Sequence, residues 1–529
     1  MNIFNNDFPY PSQRMPVMAR NMVASSQPLA VQAGVDALRQ GGNAVDAALA
    51  TAITLSVVEP TSNGIGSDAF CIVWDGEKLH GLNASGRSPA GVSADQFTGS
   101  TNMPLWGWDS VTVPGCVSAW VALSDRFGKL PFENLFQAAI YYAREGYMVS
   151  PITAKAWAQI PDAYYQFPDF ASFLPDGKPP LAGQLFRFPA QADTLESIAS
   201  TRGNDFYKGS IAEKIENTAR KAGAKLSAED MASHQCDWVD LISVEYNGVE
   251  LHEIPPNGQG LAALIMLGIL KHHNISQYPI DSIESLHCQI EAMKLAFADA
   301  HRYIADPAFM DISVDELLNG DYLAERSKLI DMNKANLPTH GSFSKGGTVY
   351  LSTADQAGMM VSMIQSNYYG FGSGIVIPET GISLQNRGAG FSLTEGHPNQ
   401  FGPSKRPYHT IIPAFLTQQG KPRMSFGVMG GPMQPQGHAQ MVVRAVDYDQ
   451  NPQVASDAPR WQVMENQEIA LDAGYGEDIR VGLVNKGHVL YPSELDPSFS
   501  MGGAQLIQKT SDGYIAGSDH RKDGMAAGF

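Results

Sequence analysis

The apolar positions of the chain fall into two textures. Over the first three hundred residues they recur mostly at helical spacing. Asn43 to Val58, NAVDAALATAITLSVV, is Ala-rich, follows Gly41-Gly42, precedes Glu59-Pro60, and predicts a mostly buried helix. It delivers the chain into a glycine-bearing loop, Thr61 to Asp68, and then into AFCIVW, a short apolar run of strand character that ends at an Asp75-Gly76 turn. Residues 116–147 and 212–232 read as helical, Leu261 to Leu270 continues the habit, and Ile283 to Ile304 is the best amphipathic helix, stopped by Asp306-Pro307. Asp331 to Gly347 is polar and aperiodic and predicts an exposed loop. From Thr348 the texture changes: TVYLSTAD, GMMVSMIQS and GIVIPETGISLQN are β-rich runs between turn signals, predicting adjacent sheet strands. Pro413 to Gly427 and Glu468 to Leu471 add strand text, while His438 to Tyr448 and Ile479 to Gly487 read as helices. The change at Gly347/Thr348 divides the chain into residues 1–347 and 348–529.

Composition narrows the class. With 529 residues, 43% of them hydrophobic and 17% charged, the chain is globular and too long for one ordinary core. A net charge of −18 opposes nucleic acid and anionic membranes as partners. The four cysteines, Cys71, Cys116, Cys236 and Cys288, lack CxxC spacing, so neither a zinc cage nor a disulfide framework is indicated and a reducing compartment fits them. The N-terminal residues Met1 to Asp7 lack the basic and apolar regions of a secretory signal, and the longest apolar run falls short of the ~20 residues that cross a bilayer. Cytoplasm is the expected location. There is no GxGxxG, P-loop, HExxH or GxSxG motif, and the thirteen histidines show no metal-ligand spacing, so neither a metal nor a cofactor is expected.

What remains is Ser344 to Ser352, SKGGTVYLS, where a loop meets a strand whose first hydroxyl residue is Thr348. Alone, a Thr at the start of a strand is unremarkable. Read together, however, TVYLSTADQAGMMVSMIQSNYYGFGSGIVIPETGISLQN, GPSKRPYHTIIP, GVMGGP, VVEPTSNGIGSDAF, NASGRSPAG, GWDSVTVPGCVSAW and EAMKLAFADAHRYIADP resemble segments of the gamma-glutamyltransferase family of N-terminal-nucleophile hydrolases, and they stand in the family's order along the chain. The resemblance covers most of the chain.

It implies an α+β fold, a four-layer αββα sandwich built jointly by a large fragment (1–347) and a small one (348–529). It also implies self-cleavage between Gly347 and Thr348, leaving Thr348 as an N-terminal nucleophile. The chemistry is reasonable from below, because an α-amino group of pKa ~7.7–8.0 can act as base for the hydroxyl of its own residue. Gly430 and Gly431 match the family's paired backbone oxyanion donors, and Ser366 its second hydroxyl beside the nucleophile. Arg87 matches the arginine that grips the substrate carboxylate, and Asn367 a substrate-holding asparagine.

Recognition residues depart from the family pattern. Arg387 and Gly390 stand where groups accepting the substrate ammonium are usual, and His409 and Thr410 replace two serines. Tyr368 and Tyr369 replace small hydroxyl residues, which predicts a smaller or flatter pocket. A positive charge at Arg387 disfavours an ammonium. The resemblance thus implies a small, carboxylate-bearing amide, foremost oxamate, hydrolysed to oxalate and ammonia. A γ-glutamyl hydrolase or transpeptidase, a glutaryl-type acylase and an unprocessed binding protein are the alternatives. The implied partners are the two fragments for each other and the small-molecule amide, with a homo-oligomer compatible.

Overall fold

The computed structural model describes residues 13–336, 347–464, 466–492 and 495–529. Two seven-stranded antiparallel sheets dominate these residues. The first runs Val17–Ala19, Tyr514–Ser518, Gly503–Lys509, Lys421–Met429, Ala414–Gln418, Val249–Glu253, Ile242–Tyr246. The second runs Met525–Gly528, Met22–Ser25, Gly347–Ala354, Met360–Tyr368, Asp68–Trp74, Leu79–Asn83, Asp237–Val239.

Side-chain alternation along the strands sets the layers. In Asp68–Trp74, Ala69, Cys71 and Val73 pack with helices Ala44–Val58 and Cys116–Phe127, whereas Phe70, Ile72 and Trp74 point to the other sheet. In Lys421–Met429, Met424, Phe426 and Val428 meet helices Gly260–Leu270, Ile283–Tyr303 and Met433–Val446, while Met429 joins the inter-sheet core with Tyr350 and Phe415. The result is helices, sheet, sheet, helices: a four-layer αββα sandwich. Gly427 lets the sheets approach, because a β-carbon there would run into the Tyr350 ring.

The long helices follow their sequence signals. Asn43 caps Ala44–Val58 through a reciprocal box with Asp46, and all fifteen helix residues are buried. Ile283–Tyr303 ends one residue short of the expected Ile304. Elsewhere the expectations need correction. Residues 116–147 divide into Cys116–Phe127 and Gln137–Glu145, broken at Gly128 and Pro131. Residues 212–232 divide at Gly223, whose φ of 74° ends Ser210–Lys221 before Ala228–Ser233 begins. GIVIPETGISLQN supplies a two-stranded hairpin, Val376–Ile377 with Ile382–Ser383, outside both large sheets. The helix expected from His438 starts at Met433, immediately past Gly430-Gly431.

The first three hundred residues supply seven strands to the two large sheets, three to the first and four to the second, and of these only Asp68–Trp74 is expected from the sequence. The stretch is helix-rich, as expected, and these strands are added to its helices. Both sheets draw strands from either side of Gly347/Thr348, around one shared core. Of the predicted loop from Asp331, residues 337–346 lie outside the described residues. Its beginning is tied down, since the Asn336 amide donates to buried Glu291 at 2.8 Å.

Candidate active site

Thr348 lies in the middle of the second sheet, in a strand flanked by Met22–Ser25 and Met360–Tyr368. Gly347 pairs with Tyr368 and Val349 with Gln365, so the register slips at Thr348. Tyr368 takes up the irregularity with a φ of 77°. The slip frees the Thr348 side chain from a regular ladder position, although the residue is only 4% exposed. Its Oγ1 donates to Ser366 Oγ at 3.3 Å and accepts from Gln434 Nε2 at 3.3 Å. Ser366 Oγ in turn accepts from the Tyr368 amide at 2.7 Å and from Arg387 Nη2 at 3.5 Å.

Gly430 and Gly431, with φ of 123° and 59°, swing the chain from strand Lys421–Met429 into the helix at Met433. Their carbonyls are engaged: Gly430 O accepts from the Met433 amide, and Gly431 O from the Gln434 amide and Gln259 Nε2. Among the described residues neither glycine's own amide donates to another group. Gln259 Nε2 also reaches Thr410 O at 2.5 Å, bracing the glycine turn against the loop that carries His409 and Thr410.

Thr348 and Gly430 line one cavity of about 330 Å³. Tyr164, Tyr369, Phe371 and Phe499 make its aromatic wall, and Ser26, Glu59, Lys522 and Asp523 its polar side. Lys522 is the one cation lining it among the described residues. Glu59 is buried and accepts from Ser26 Oγ at 2.5 Å; burial raises its pKa to about 7 against the opposing pull of Ser26 and Lys522. The expectation of a small, flat pocket is corrected here. Tyr369 lines the cavity, but Tyr368 lies under the Arg387 guanidinium, 4.4 Å from carbon to ring centre, and takes no space from it.

Arg387 is wholly buried and donates through Nη1 to Thr410 Oγ1 at 2.7 Å. Burial lowers its pKa to about 10, with nearby Asp68 opposing, so it remains a cation at neutral pH. Asp68 accepts from His409 Nε2 at 3.1 Å and from the Gly86 and Gly115 amides at 3.2 Å each. Burial raises its pKa to about 7 despite Arg387, and burial keeps His409 neutral. Arg387 thus has a countercharge nearby rather than standing alone. At Gly390 a β-carbon would lie 2.6 Å from the Tyr408 carbonyl oxygen, so an Asp there requires the backbone to move.

The structure brings Thr348, Ser366, Arg387 and Thr410 into one hydrogen-bonded chain, with Gly430 on the same cavity. Arg87 stands apart. It is half exposed, pairs with Asp306 at 2.8 Å, donates to Ser404 O at 3.2 Å, and does not line the Thr348 cavity. Asn367 also faces elsewhere: its Oδ1 accepts from Ser67 Oγ at 2.8 Å, holding the loop from Thr61 to Asp68. Sequence reasoning missed Gln434, Gln259, Glu59, Lys522 and Asp68. Gln434 alone had a signal, being in the first helical turn after the glycine pair. His287, Glu291 and His488 form a buried group of metal-type ligands, but Lys294 Nζ sits 2.9 Å from Glu291 Oε1 and 3.3 Å from His488 Nδ1, supplying a cation from the chain itself.

Comparison with known proteins agrees with this geometry. The family model described as Gamma-glutamyltranspeptidase matches residues 30–529. A glutathione hydrolase-like YwrD proenzyme of Bacillus subtilis (strain 168) is 34% identical over 96% of this chain and 98% of its own length. An oxamate amidohydrolase proenzyme of Klebsiella pneumoniae is 32% identical over 97% and 99%. The crystal structure of a cephalosporin acylase from Bacillus halodurans superposes with a TM-score of 0.93 at 46% identity, covering 100% of this chain and 99% of the other. The αββα sandwich, Thr348 at the head of its strand and a family match over nearly the whole sequence place the chain in the gamma-glutamyltranspeptidase family of N-terminal-nucleophile hydrolases.

Proposed function

We propose that the chain is a self-processing amidohydrolase that cleaves itself between Gly347 and Thr348 and then hydrolyses a carboxylate-bearing amide through a Thr348 acyl-enzyme. The carrying observation is Thr348 Oγ1, buried on the wall of a cavity it shares with Gly430 and held between Ser366 and Gln434. In self-cleavage Oγ1 attacks the Gly347 carbonyl carbon, the peptide C–N bond breaks, and hydrolysis of the ester leaves Thr348 with a free amine. In turnover that amine takes the hydroxyl proton, Oγ1 bonds to the amide carbon, and the amides of Gly430 and Gly431 receive the oxyanion. The proton passes to the departing amine, and water then hydrolyses the ester.

Oxamate, giving oxalate and ammonia, is the substrate this reading favours from sequence, supported by the amidohydrolase relative and by Arg387 one hydroxyl away from the nucleophile. A second reading has a specific observation behind it. A cavity of about 330 Å³ with four aromatic side chains is far larger than oxamate fills, and it suits a longer acyl or amine portion of the kind an acylase accepts. Ammonia release from oxamate, measured beside hydrolysis of glutaryl and γ-glutamyl 4-nitroanilides, separates the two. Purified protein is expected as two fragments, the smaller starting at Thr348, and Thr348→Ala as one inactive chain. Cleavage of Thr348→Ala at that bond without added protease would refute the mechanism.

A further inference from the structure

Gln434 is the second group on the nucleophilic oxygen, and its geometry is specific. It occupies the first turn of the helix that follows the glycine pair and is wholly buried. Its carboxamide has a defined orientation, because Oε1 accepts from the Ile412 amide at 2.9 Å. Nε2 is thereby turned to Thr348 Oγ1, 3.3 Å away. The Thr348 hydroxyl directs its own proton to Ser366 on the other side. In the resting arrangement Ser366 accepts from Thr348, whereas Gln434 Nε2 is a donor in every protonation state of Thr348 Oγ1. A neutral, preoriented donor on an oxygen matters most when that oxygen carries more negative charge than at rest.

We propose that Gln434 is a catalytic residue, a fixed amide donor that stabilises Thr348 Oγ1 whenever that atom becomes alkoxide-like. The proposal rests on Thr348 being the nucleophile. During deacylation the water oxygen bonds to the acyl carbon and a water proton goes to the Thr348 amine. The C–Oγ1 bond then breaks, its electron pair stays on Oγ1, and the ammonium returns the proton to Oγ1. The Gln434 N–H holds Oγ1 between bond breaking and protonation. The same contact lowers the cost of deprotonating the hydroxyl on the way in, both in turnover and in self-cleavage. Its role is thus distinct from that of Gly430 and Gly431, which serve the carbonyl oxygen of the substrate.

Two substitutions test this. Gln434→Glu retains an oxygen for the Ile412 amide and removes the amide donor; Gln434→Met removes donor and acceptor without adding charge. Self-cleavage is followed on denaturing gels, and deacylation by intact mass during hydrolysis of glutaryl and γ-glutamyl 4-nitroanilides. Loss of a fixed donor to a developing oxyanion costs on the order of 10²-fold. Both variants should process that much more slowly and, once processed, accumulate a mass shifted by the acyl group, with kcat falling more than KM changes. Processing and kcat within about twofold of the unmodified protein in both variants, without acyl-enzyme build-up, would overturn the role of Gln434. Loss of the Thr348 reading has a different signature, namely Thr348→Ala protein that still cuts itself or turns over substrate.

Discussion

Burial alters the acid–base chemistry of ordinary side chains around Thr348, and Glu59 shows the effect most directly. Its carboxyl, raised to about 7 by burial, changes charge within the working range of the cavity it lines. Above that pH it becomes an anion facing an anionic substrate, so KM for glutaryl 4-nitroanilide is expected to rise as pH passes upward through about 7. Glu59→Gln should flatten that rise, which steady-state kinetics from about pH 6 to 8.5 would detect; an unchanged KM profile would remove Glu59 from substrate contact. Thr348 and the glycine pair could be singled out from sequence because the roles proposed for them depend on backbone position, which a motif records. Arg87 was legible only as a lone planar cation among small residues; its pairing with Asp306, more than two hundred positions away, could not be read from local text. Glu59, Lys522 and Gln259 were illegible for the same reason: each acquires its surroundings only when remote segments close around it.

Strands and helices differed in legibility for a physical reason. A helix announces itself locally, through caps and period, so Ala44–Val58 and Ile283–Tyr303 could be bounded within a residue or so. Strands such as Val249–Glu253 or Leu79–Asn83 are only five residues long and take their identity from partners elsewhere in the chain. Contact between the two sheets is equally non-local, and it makes one position sensitive. Gly427 faces the Tyr350 ring, whose hydroxyl hydrogen-bonds with Ser362 Oγ at 2.7 Å. Gly427→Ala should force the sheets apart or displace that ring, costing about 1–3 kcal/mol. A lowered thermal midpoint with Gly427→Ala, and a smaller effect for Gly402→Ala, where an added β-carbon meets nothing and φ is not positive, would distinguish crowding from a general loss of glycine. Equal midpoints for Gly427→Ala and the unmodified protein would show that the interface yields freely.

On the scale of the whole molecule, a buried charge cluster ties Arg460 to the segment of Asp519 and Arg521. Asp519 is wholly buried between Arg460 and Arg521 and accepts from the Ala504 amide at 2.7 Å. Burial alone would raise its pKa, but the two guanidinium groups and that amide overrule it and hold the carboxyl well below the usual range. A depressed pKa stabilises the fold above the unfolded value of ~3.9, and that contribution is lost as pH falls below it. Asp519→Asn should therefore cost about 3–5 kcal/mol near neutrality, by leaving Arg460 without its charge partner, and the gap should narrow below about pH 4. Denaturant unfolding at about pH 7 and pH 3.5 measures both; a pH-independent difference would exclude the linkage. The sheets carry a longer consequence. Each interleaves strands from both sides of Gly347/Thr348, so neither piece contains either large sheet complete. Once the bond between them is cut, unfolding releases two separate chains, and return to the native state becomes a second-order encounter that dilution slows. Maturation would thus leave a protein whose lifetime is governed by how slowly it opens, with no fast route back.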